Sequence, residues 1–296
     1  MAFRPELSIF AAADDPVECY SWGMELQDLT PQILEEAWKP RPHIDAKVVD
    51  SLVAAFDELQ RQHPIGSLDR LRKYLDAFIR SEISPSHPLQ RSAYCPGLTT
   101  KPFWKAEDVS VFSDLRRAFA QSFDAMREEL VGYVANSRFE RYGSSERYPT
   151  LGKESWSGVP LLRRGSEITE FGKNFPIAIS TLEPFFPFIL NEVAYLKLEP
   201  CVQLPWHFDA NNVQVTSHTG FIVPTNCGIR VGNEERTTRE GESVFFDHSI
   251  IHTAWNGGDE DRTVMVIDFA HPDLTRLERS VLKQFFAWSE FDNTAG

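Results

Sequence analysis

The residues best suited to chemistry sit in Pro205-Trp206-His207-Phe208-Asp209, followed much later by His252 and then Arg262. On an extended segment His207 and Asp209 project to the same face, because side chains alternate with a period of two. Two neutral imidazoles and one carboxylate form the donor set of mononuclear non-haem Fe(II) oxygenases, which leaves positions open for other ligands. Arg262 opens the run Arg262-Thr263-Val264-Met265-Val266-Ile267-Asp268-Phe269, which reads as a buried strand with one cation at its start. A buried guanidinium needs an anion, and the distal carboxylate of 2-oxoglutarate is a suitable bidentate partner. His-x-Asp alone is weak, since histidines on β-segments are commonly core or surface residues. The order His-x-Asp, β-rich stretch, His and then Arg on the next strand is much harder to obtain by accident. Beside the same iron site turned to another outcome, such as desaturation of a free amino acid or metabolite, two non-catalytic readings stay open: a cupin-like module that holds or senses a metal without turnover, and a structural β-domain with fortuitous histidines. A plain metal-binding module has no need of a carboxylate clamp, so Arg262 separates these readings from the oxygenase.

These residues need a β scaffold, and the sequence supplies one after a helical start. Ile44, Val48, Val49, Leu52, Val53, Phe56 and Leu59 recur at helical spacing, as do Leu68, Leu71, Tyr74, Leu75, Phe78 and Ile79. Pro64-Ile65-Gly66 separates them, which predicts an antiparallel helix pair, and Thr30-Pro31 reads as a helix start. Ser84-Pro85-Ser86-His87-Pro88 and Cys95-Pro96-Gly97 mark a surface connection that also carries Tyr94, Phe103 and Trp104, residues that favour burial. A helix follows with Phe112, Leu115, Phe119, Phe123, Met126 and Leu130 on one side, then loops around Gly143 and Gly152 and a helix from Ile177 to Leu190. Beyond Asn191 the pattern changes to short strands at Val193–Leu198, Val213–Val223, Gly228–Val231, Ser243–Phe246 and Thr263–Phe269, with turns at Asn226-Cys227-Gly228 and Asn256-Gly257-Gly258. This spacing suggests a sandwich or jelly roll. A last helix runs from Leu274 through Phe286, followed by an acidic end. The division expected is a helical region over 1–87 and a catalytic domain over 88–296.

A chain of 296 residues can bury a sizeable core. Its net charge of −13 repels phosphate backbones and anionic lipid, so neither nucleic acid nor a membrane surface is an expected partner. Cys19, Cys95, Cys201 and Cys227 form no close pairs, which argues against a disulfide framework or a zinc site and suggests reduced thiols. With no apolar leader at the N-terminus and no long apolar run, the expected location is cytoplasmic. Nothing in the sequence sets an oligomeric state.

The chain resembles the aspartyl/asparaginyl β-hydroxylase family. The likeness rests on Leu89-Gln90-Arg91-Ser92-Ala93-Tyr94, Lys101-Pro102-Phe103-Trp104, Gly220-Phe221-Ile222-Val223-Pro224, Cys227-Gly228-Ile229-Arg230-Val231-Gly232-Asn233-Glu234, Gly241-Glu242-Ser243-Val244-Phe245-Phe246-Asp247-His248-Ser249 and Val266-Ile267-Asp268-Phe269-Ala270-His271-Pro272. It spans roughly residues 88–275. The resemblance implies an α+β protein with a mainly β catalytic core, a double-stranded β-helix. It also implies Fe(II), 2-oxoglutarate as cosubstrate, O2, and a small-molecule or peptide substrate. His207 and His252 fall at the family's iron-binding histidines, Arg262 at its 2-oxoglutarate-binding arginine, and His218 at a histidine associated with the cosubstrate. Asp209 stands where animal members carry glycine, so here the carboxylate ligand is present. Thr216 replaces an arginine that pairs with an acidic substrate side chain, so recognition of an aspartyl group does not carry over. Lys197 lies where those members use a serine for the cosubstrate, and two readings of it stay open: contact with the same carboxylate, or a lysine that snorkels to the surface. His248 and Asp247 are expected near the site or in a turn.

Overall fold

The computed structural model describes residues 30–37, 46–80, 88–142, 151–152, 155–209 and 211–286. The expected turn at Gly143, the Ser84-Pro85-Ser86-His87 run and the acidic end lie outside the described residues. Helix α1 (Pro31–Ala37) starts as its sequence suggests, with the Ile33 amide donating to Thr30 Oγ1 at 3.2 Å. Helices α2 (Ala46–Gln62) and α3 (Asp69–Ile79) are separated by a turn in which Gly66 takes φ of +80°. Their apolar faces bury Leu52, Phe56, Leu71, Tyr74, Leu75 and Phe78.

Strand β1 (Phe103–Trp104) precedes the long helix α4 (Ser110–Asn136), which buries Phe112, Leu115, Phe119, Met126 and Leu130 at the expected spacing. Next come β2 (Glu140–Arg141), β3 (Trp156–Arg163), β4 (Glu167–Ile168) and α5 (Pro176–Leu182). The helix expected to reach Leu190 therefore stops early. Pro184 and Pro187 each remove an amide donor and crowd the preceding turn, and a strand has already begun at Ile189. The remaining elements are β5 (Ile189–Leu198), β6 (Val202–Gln203), β7 (Gln214–Ile222), β8 (Cys227–Val231), β9 (Glu234–Thr237), β10 (Ser243–Phe246), β11 (His252–Asn256), β12 (Arg262–Ala270) and α6 (Arg276–Phe286).

From β5 to β12 the chain alternates between two antiparallel sheets, except that the hairpin β8–β9 stays in the smaller one. The larger has the order β1-β10-β7-β12-β5-β3-β2, with β4 beside β3, and the smaller has β6-β11-β8-β9. That alternation is a jelly-roll path, and the fold is a double-stranded β-helix of two open sheets. Side-chain alternation then divides the core. Val193, Tyr195, Met265, Ile267 and Phe269 face α4 and α5, whereas Ala194, Leu196, Leu198, Val264 and Val266 face Ile229, Val231 and Ala254 of the smaller sheet. Both faces of β12 are thus covered, which is why its sequence is almost continuously apolar. Truncating a fully buried residue such as Met265 to alanine would cost roughly 2–5 kcal/mol.

The strand β3 was not among the expected strands, and its sequence carries two residues unfavourable in a strand interior, Gly158 and Pro160. A register shift between Pro160 and Leu162 accommodates the proline. A Cβ on Gly158 would lie 2.8 Å from Leu196 Cδ2 and 2.9 Å from Tyr142 Cδ2, so the glycine permits close approach of neighbouring side chains. On the far side, α2, α3 and α6 share one buried cluster with Leu190, Val213 and Ala270, and Phe56 stacks on Phe285 at 5.7 Å. Cys95 and Cys227 are buried free thiols, but Cys201 is disulfide-bonded. The expectation of four reduced thiols, which rested on wide spacing alone, is corrected here. No described helix is long and apolar enough to cross a membrane.

Candidate active site

His207 and His252 are each other's backbone partners. The His207 amide donates to His252 O at 3.0 Å and the His252 amide donates to His207 O at 2.9 Å, which brings the ring centroids to 4.1 Å. Each ring is then fixed by its own chain: Nδ1 lies 2.8 Å from Pro205 O in His207 and 2.9 Å from Ile250 O in His252. A carbonyl only accepts, so both rings carry their proton on Nδ1 and leave the Nε2 lone pair available. Burial, then the neighbouring His207, pushes the His252 pKa down to about 3, so the ring is neutral at physiological pH.

Asp209 completes the cluster. One ligand atom from each of His207, Asp209 and His252 lies within 4.8 Å of the others, and Asp209 Oδ2 is 3.7 Å from His252 Nε2. Burial alone would raise the Asp209 carboxyl, but hydrogen bonding to His248 and the charge of that ring outweigh it and hold the group ionised. Two neutral nitrogen donors and one anionic oxygen, with a cavity beside them, fit a divalent transition ion such as Fe(II).

His248 holds that carboxylate. The Asp209 amide donates to His248 O at 3.0 Å, and His248 Nδ1 lies 3.4 Å from Asp209 Oδ2 and 3.0 Å from Thr216 Oγ1. The Thr216 hydroxyl in turn donates to Asp268 Oδ1 at 3.0 Å. Burial opposes a charge on His248, but Asp209, Asp268 and Asp247 raise its pKa to about 9. Asp247 itself serves the turn, accepting from the Ser249 amide and hydroxyl.

His207, Asp209, His252, His248, Thr216 and Asp268 open on one cavity of about 150 Å³, together with Arg262 and His218. Arg262 is 2% exposed; its Nη2 donates to Thr238 Oγ1 at 3.2 Å, and its Nε has no partner. Among the described residues no carboxylate pairs with it. Burial accordingly pushes its pKa down to about 10, although nearby Cys227 works the other way. The His218 Nδ1 is also buried without a partner, and burial followed by the charge of Arg262 keeps this ring neutral. Lys197 must be corrected. Leu196 and Leu198 line the cavity, so Lys197 between them points to the other face, where Nζ binds Asp261 Oδ2 at 2.8 Å. Asp268, Thr238 and Gln214 were not singled out in the sequence. The two-residue alternation from Arg262 through Val264 and Val266 to Asp268 was the signal available for Asp268.

A double-stranded β-helix with a His-Asp-His cluster and a buried arginine in one cavity defines a cupin-like protein with a preformed candidate metal centre. The chain belongs to the aspartyl/asparaginyl beta-hydroxylase family, whose profile matches residues 120–272 and so contains every residue of the cluster. The aspartyl/asparaginyl beta-hydroxylase of Mus musculus is 26% identical over 198 residues, covering 65% of this chain and 26% of that protein. Aspartate beta-hydroxylase domain-containing protein 2 of Xenopus tropicalis is 30% identical over 139 residues, 45% of this chain and 38% of the relative. The chain therefore matches well under half the length of these relatives. A cupin 2 conserved barrel domain protein from Salinispora arenicola shares 11% identity and a TM-score of 0.28, covering 50% of this chain and 97% of that one. Likeness at that level carries no weight, and the fold stands on its own strand order.

Proposed function

We propose that this protein is an Fe(II)- and 2-oxoglutarate-dependent dioxygenase that hydroxylates a C–H bond of an amino acid, a peptide residue or an amino-acid-derived metabolite. The observation that carries this reading is a His-Asp-His cluster sharing a cavity with a buried guanidinium that no described carboxylate neutralises. Membership of a hydroxylase family supports the same class of outcome. Iron bound by the cluster would supply O2 activation coupled to oxidative decarboxylation of 2-oxoglutarate to succinate and CO2.

The chain's own part is binding, orientation and exclusion of water. His207 and His252 present Nε2 donors whose direction is set by backbone carbonyls, and Asp209 adds the anionic donor under the control of His248. Arg262 offers a planar fork to the distal carboxylate of the cosubstrate, steadied by Thr238. Val264, Val266, Leu196 and Phe246 wall the cavity with apolar surface, which keeps water from the reacting centre. Holding the target C–H bond in a fixed place beside the metal is what couples cosubstrate consumption to product.

The test is succinate release from 2-oxoglutarate with Fe(II) and ascorbate, comparing the wild type with His207→Ala and Arg262→Ala. Turnover by the wild type and its loss in both variants is expected. Equal, metal-independent signals from all three would overturn the proposal. A substrate search by mass spectrometry would look for a gain of about 16 Da, the mass of one inserted oxygen atom.

A further inference from the structure

The floor of the cavity is graded from cation to anion. Arg262, Val264, Val266 and Asp268 all line it from one face of β12, so the guanidinium and the Asp268 carboxylate are separated by roughly 20 Å of strand. On the adjoining strand β7 the register sets His218 opposite Val266 and Thr216 opposite Asp268. The metal cluster meets this floor on the Asp268 side, since Asp209 contacts His248 and His248 contacts Thr216, which lies opposite Asp268 on the ladder. The cosubstrate takes the Arg262 end in the dioxygenase reading, which leaves the Asp268 end for the molecule to be oxidised.

That end is built to accept hydrogen bonds from a cation. Asp268 Oδ1 receives the Thr216 hydroxyl, and the Glu192 amide donates to the same carboxylate. Among the described residues lining the cavity Arg262 is the sole Lys or Arg, and no Lys or Arg pairs with Asp268. His248 lies nearby, with its Nδ1 directed at Asp209 and Thr216. Burial pushes the Asp268 carboxyl up, although the charge of His248 works the other way. A second, independent feature is Gln214, only 2% exposed, which lines the same end. Its Oε1 accepts from Asn211 Nδ2 at 2.9 Å, whereas its Nε2 is buried without a partner.

We propose that the Asp268 end of the cavity binds a cationic nitrogen of the substrate, an ammonium or guanidinium, with Asp268 as its carboxylate partner and Gln214 Nε2 donating to a neighbouring carbonyl or carboxylate oxygen. The identity of this ligand as substrate rests on the dioxygenase reading, whereas its charge rests on Asp268 and Gln214. Asp268 is then a specificity-determining residue, and the preferred substrate is basic or zwitterionic. The cation has two possible sources, the α-ammonium of a free amino acid or a basic side chain.

Calorimetric titration of the full chain loaded with Zn(II) and 2-oxoglutarate, a redox-inert ternary state, tests this. The probes are L-norleucine, which carries an α-ammonium, Nα-acetyl-L-lysine amide, which carries only the side-chain ammonium, the neutral Nα-acetyl-L-norleucine amide and the anionic Nα-acetyl-L-aspartate amide. At least one of the two cationic nitrogen sources should bind about tenfold or more tighter than the neutral and anionic probes. Asp268→Asn should erase that margin while Zn(II) and 2-oxoglutarate binding stays within about threefold, and Gln214→Leu should weaken the winning probe by about tenfold. The inference fails if the neutral or anionic probe binds equally well or better, if neither cationic probe binds, or if Asp268→Asn keeps the preference. The wild-type panel decides by itself should either variant not fold. Failure of the wild type to bind 2-oxoglutarate would instead sink the dioxygenase reading, so the two outcomes are separable.

Discussion

Replacing Arg262 by methionine separates a cosubstrate clamp from a structural arginine. The guanidinium is 2% exposed, makes one bond to Thr238 and pairs with no described carboxylate. A residue placed for folding would be expected to meet its counter-ion within the protein, because an isolated buried charge costs several kcal/mol. Truncation should therefore leave the ligand-free stability within about 1 kcal/mol, since the lost Thr238 bond, worth about 0.5–1.5 kcal/mol, is offset by the charge no longer being desolvated. Cosubstrate affinity should respond very differently. Removing one partner of a buried hydrogen-bonded charge pair costs about 2–5 kcal/mol, which raises the 2-oxoglutarate Kd about 30- to 4,000-fold. Urea denaturation with Zn(II), in the presence and absence of 2-oxoglutarate, measures both. At a ligand concentration of 100 times the wild-type Kd the wild type should gain about 2.7 kcal/mol, and Arg262→Met no more than about 0.9 kcal/mol. If the variant loses several kcal/mol without ligand yet binds 2-oxoglutarate within threefold of the wild type, the clamp does not exist.

Three further outcomes follow from neighbouring groups. His248→Asn removes the ring that holds Asp209 and should weaken metal binding about 10- to 100-fold in a Co(II) titration, with a changed visible spectrum, while 2-oxoglutarate affinity at saturating metal changes little. Lys197→Ala breaks a half-exposed pair with Asp261 and should leave kcat/KM for 2-oxoglutarate within about threefold, an outcome a direct cosubstrate contact would forbid. Metal-free stability should peak near pH 6.5, as followed by urea midpoints. His252 has a folded pKa near 3, so its neutral form contributes above the ordinary 6.5 and that contribution is lost as pH falls towards 3. His248 has a folded pKa near 9, so its contribution is present below 6.5 and lost as pH rises through 9. A His252→Gln variant should flatten the acid limb and leave the alkaline limb in place.

The chemistry was more legible in the sequence than several elements that position it. His207, Asp209, His252, Arg262 and His218 share one cavity because period-two alternation and strand order, both readable in one dimension, determine which residues face inward. Lys197 misled because a position matched to the family fixes the strand but not the face, and its neighbours Leu196 and Leu198 already occupied the inner one. The strand β11, His252-Thr253-Ala254-Trp255-Asn256, is fully buried yet has no apolar run, since Thr253 and Asn256 satisfy backbone carbonyls of Leu204, Leu198 and Glu199. No hydrophobicity pattern registers a strand whose core residues are polar and bonded. β3 was hidden by Pro160, which the ladder tolerates only through a shifted register.

The division of the cavity also indicates where specificity can change without loss of chemistry. The two histidines are locked by mutual backbone bonds, and Arg262 stands directly across the ladder from Leu198, in rigid sheet. Asp268 lies where the β12–β5 register shifts, and Gln214 is the first residue of β7. Metal and cosubstrate binding are thus set by the histidine pair and the Arg262 end of β12, and substrate choice by its opposite end. Exchanging Asp268 for a cation should therefore reverse the charge preference of the site before it disables cosubstrate binding. The opposite order would mean that the outer end belongs to the metal cluster's support and not to recognition.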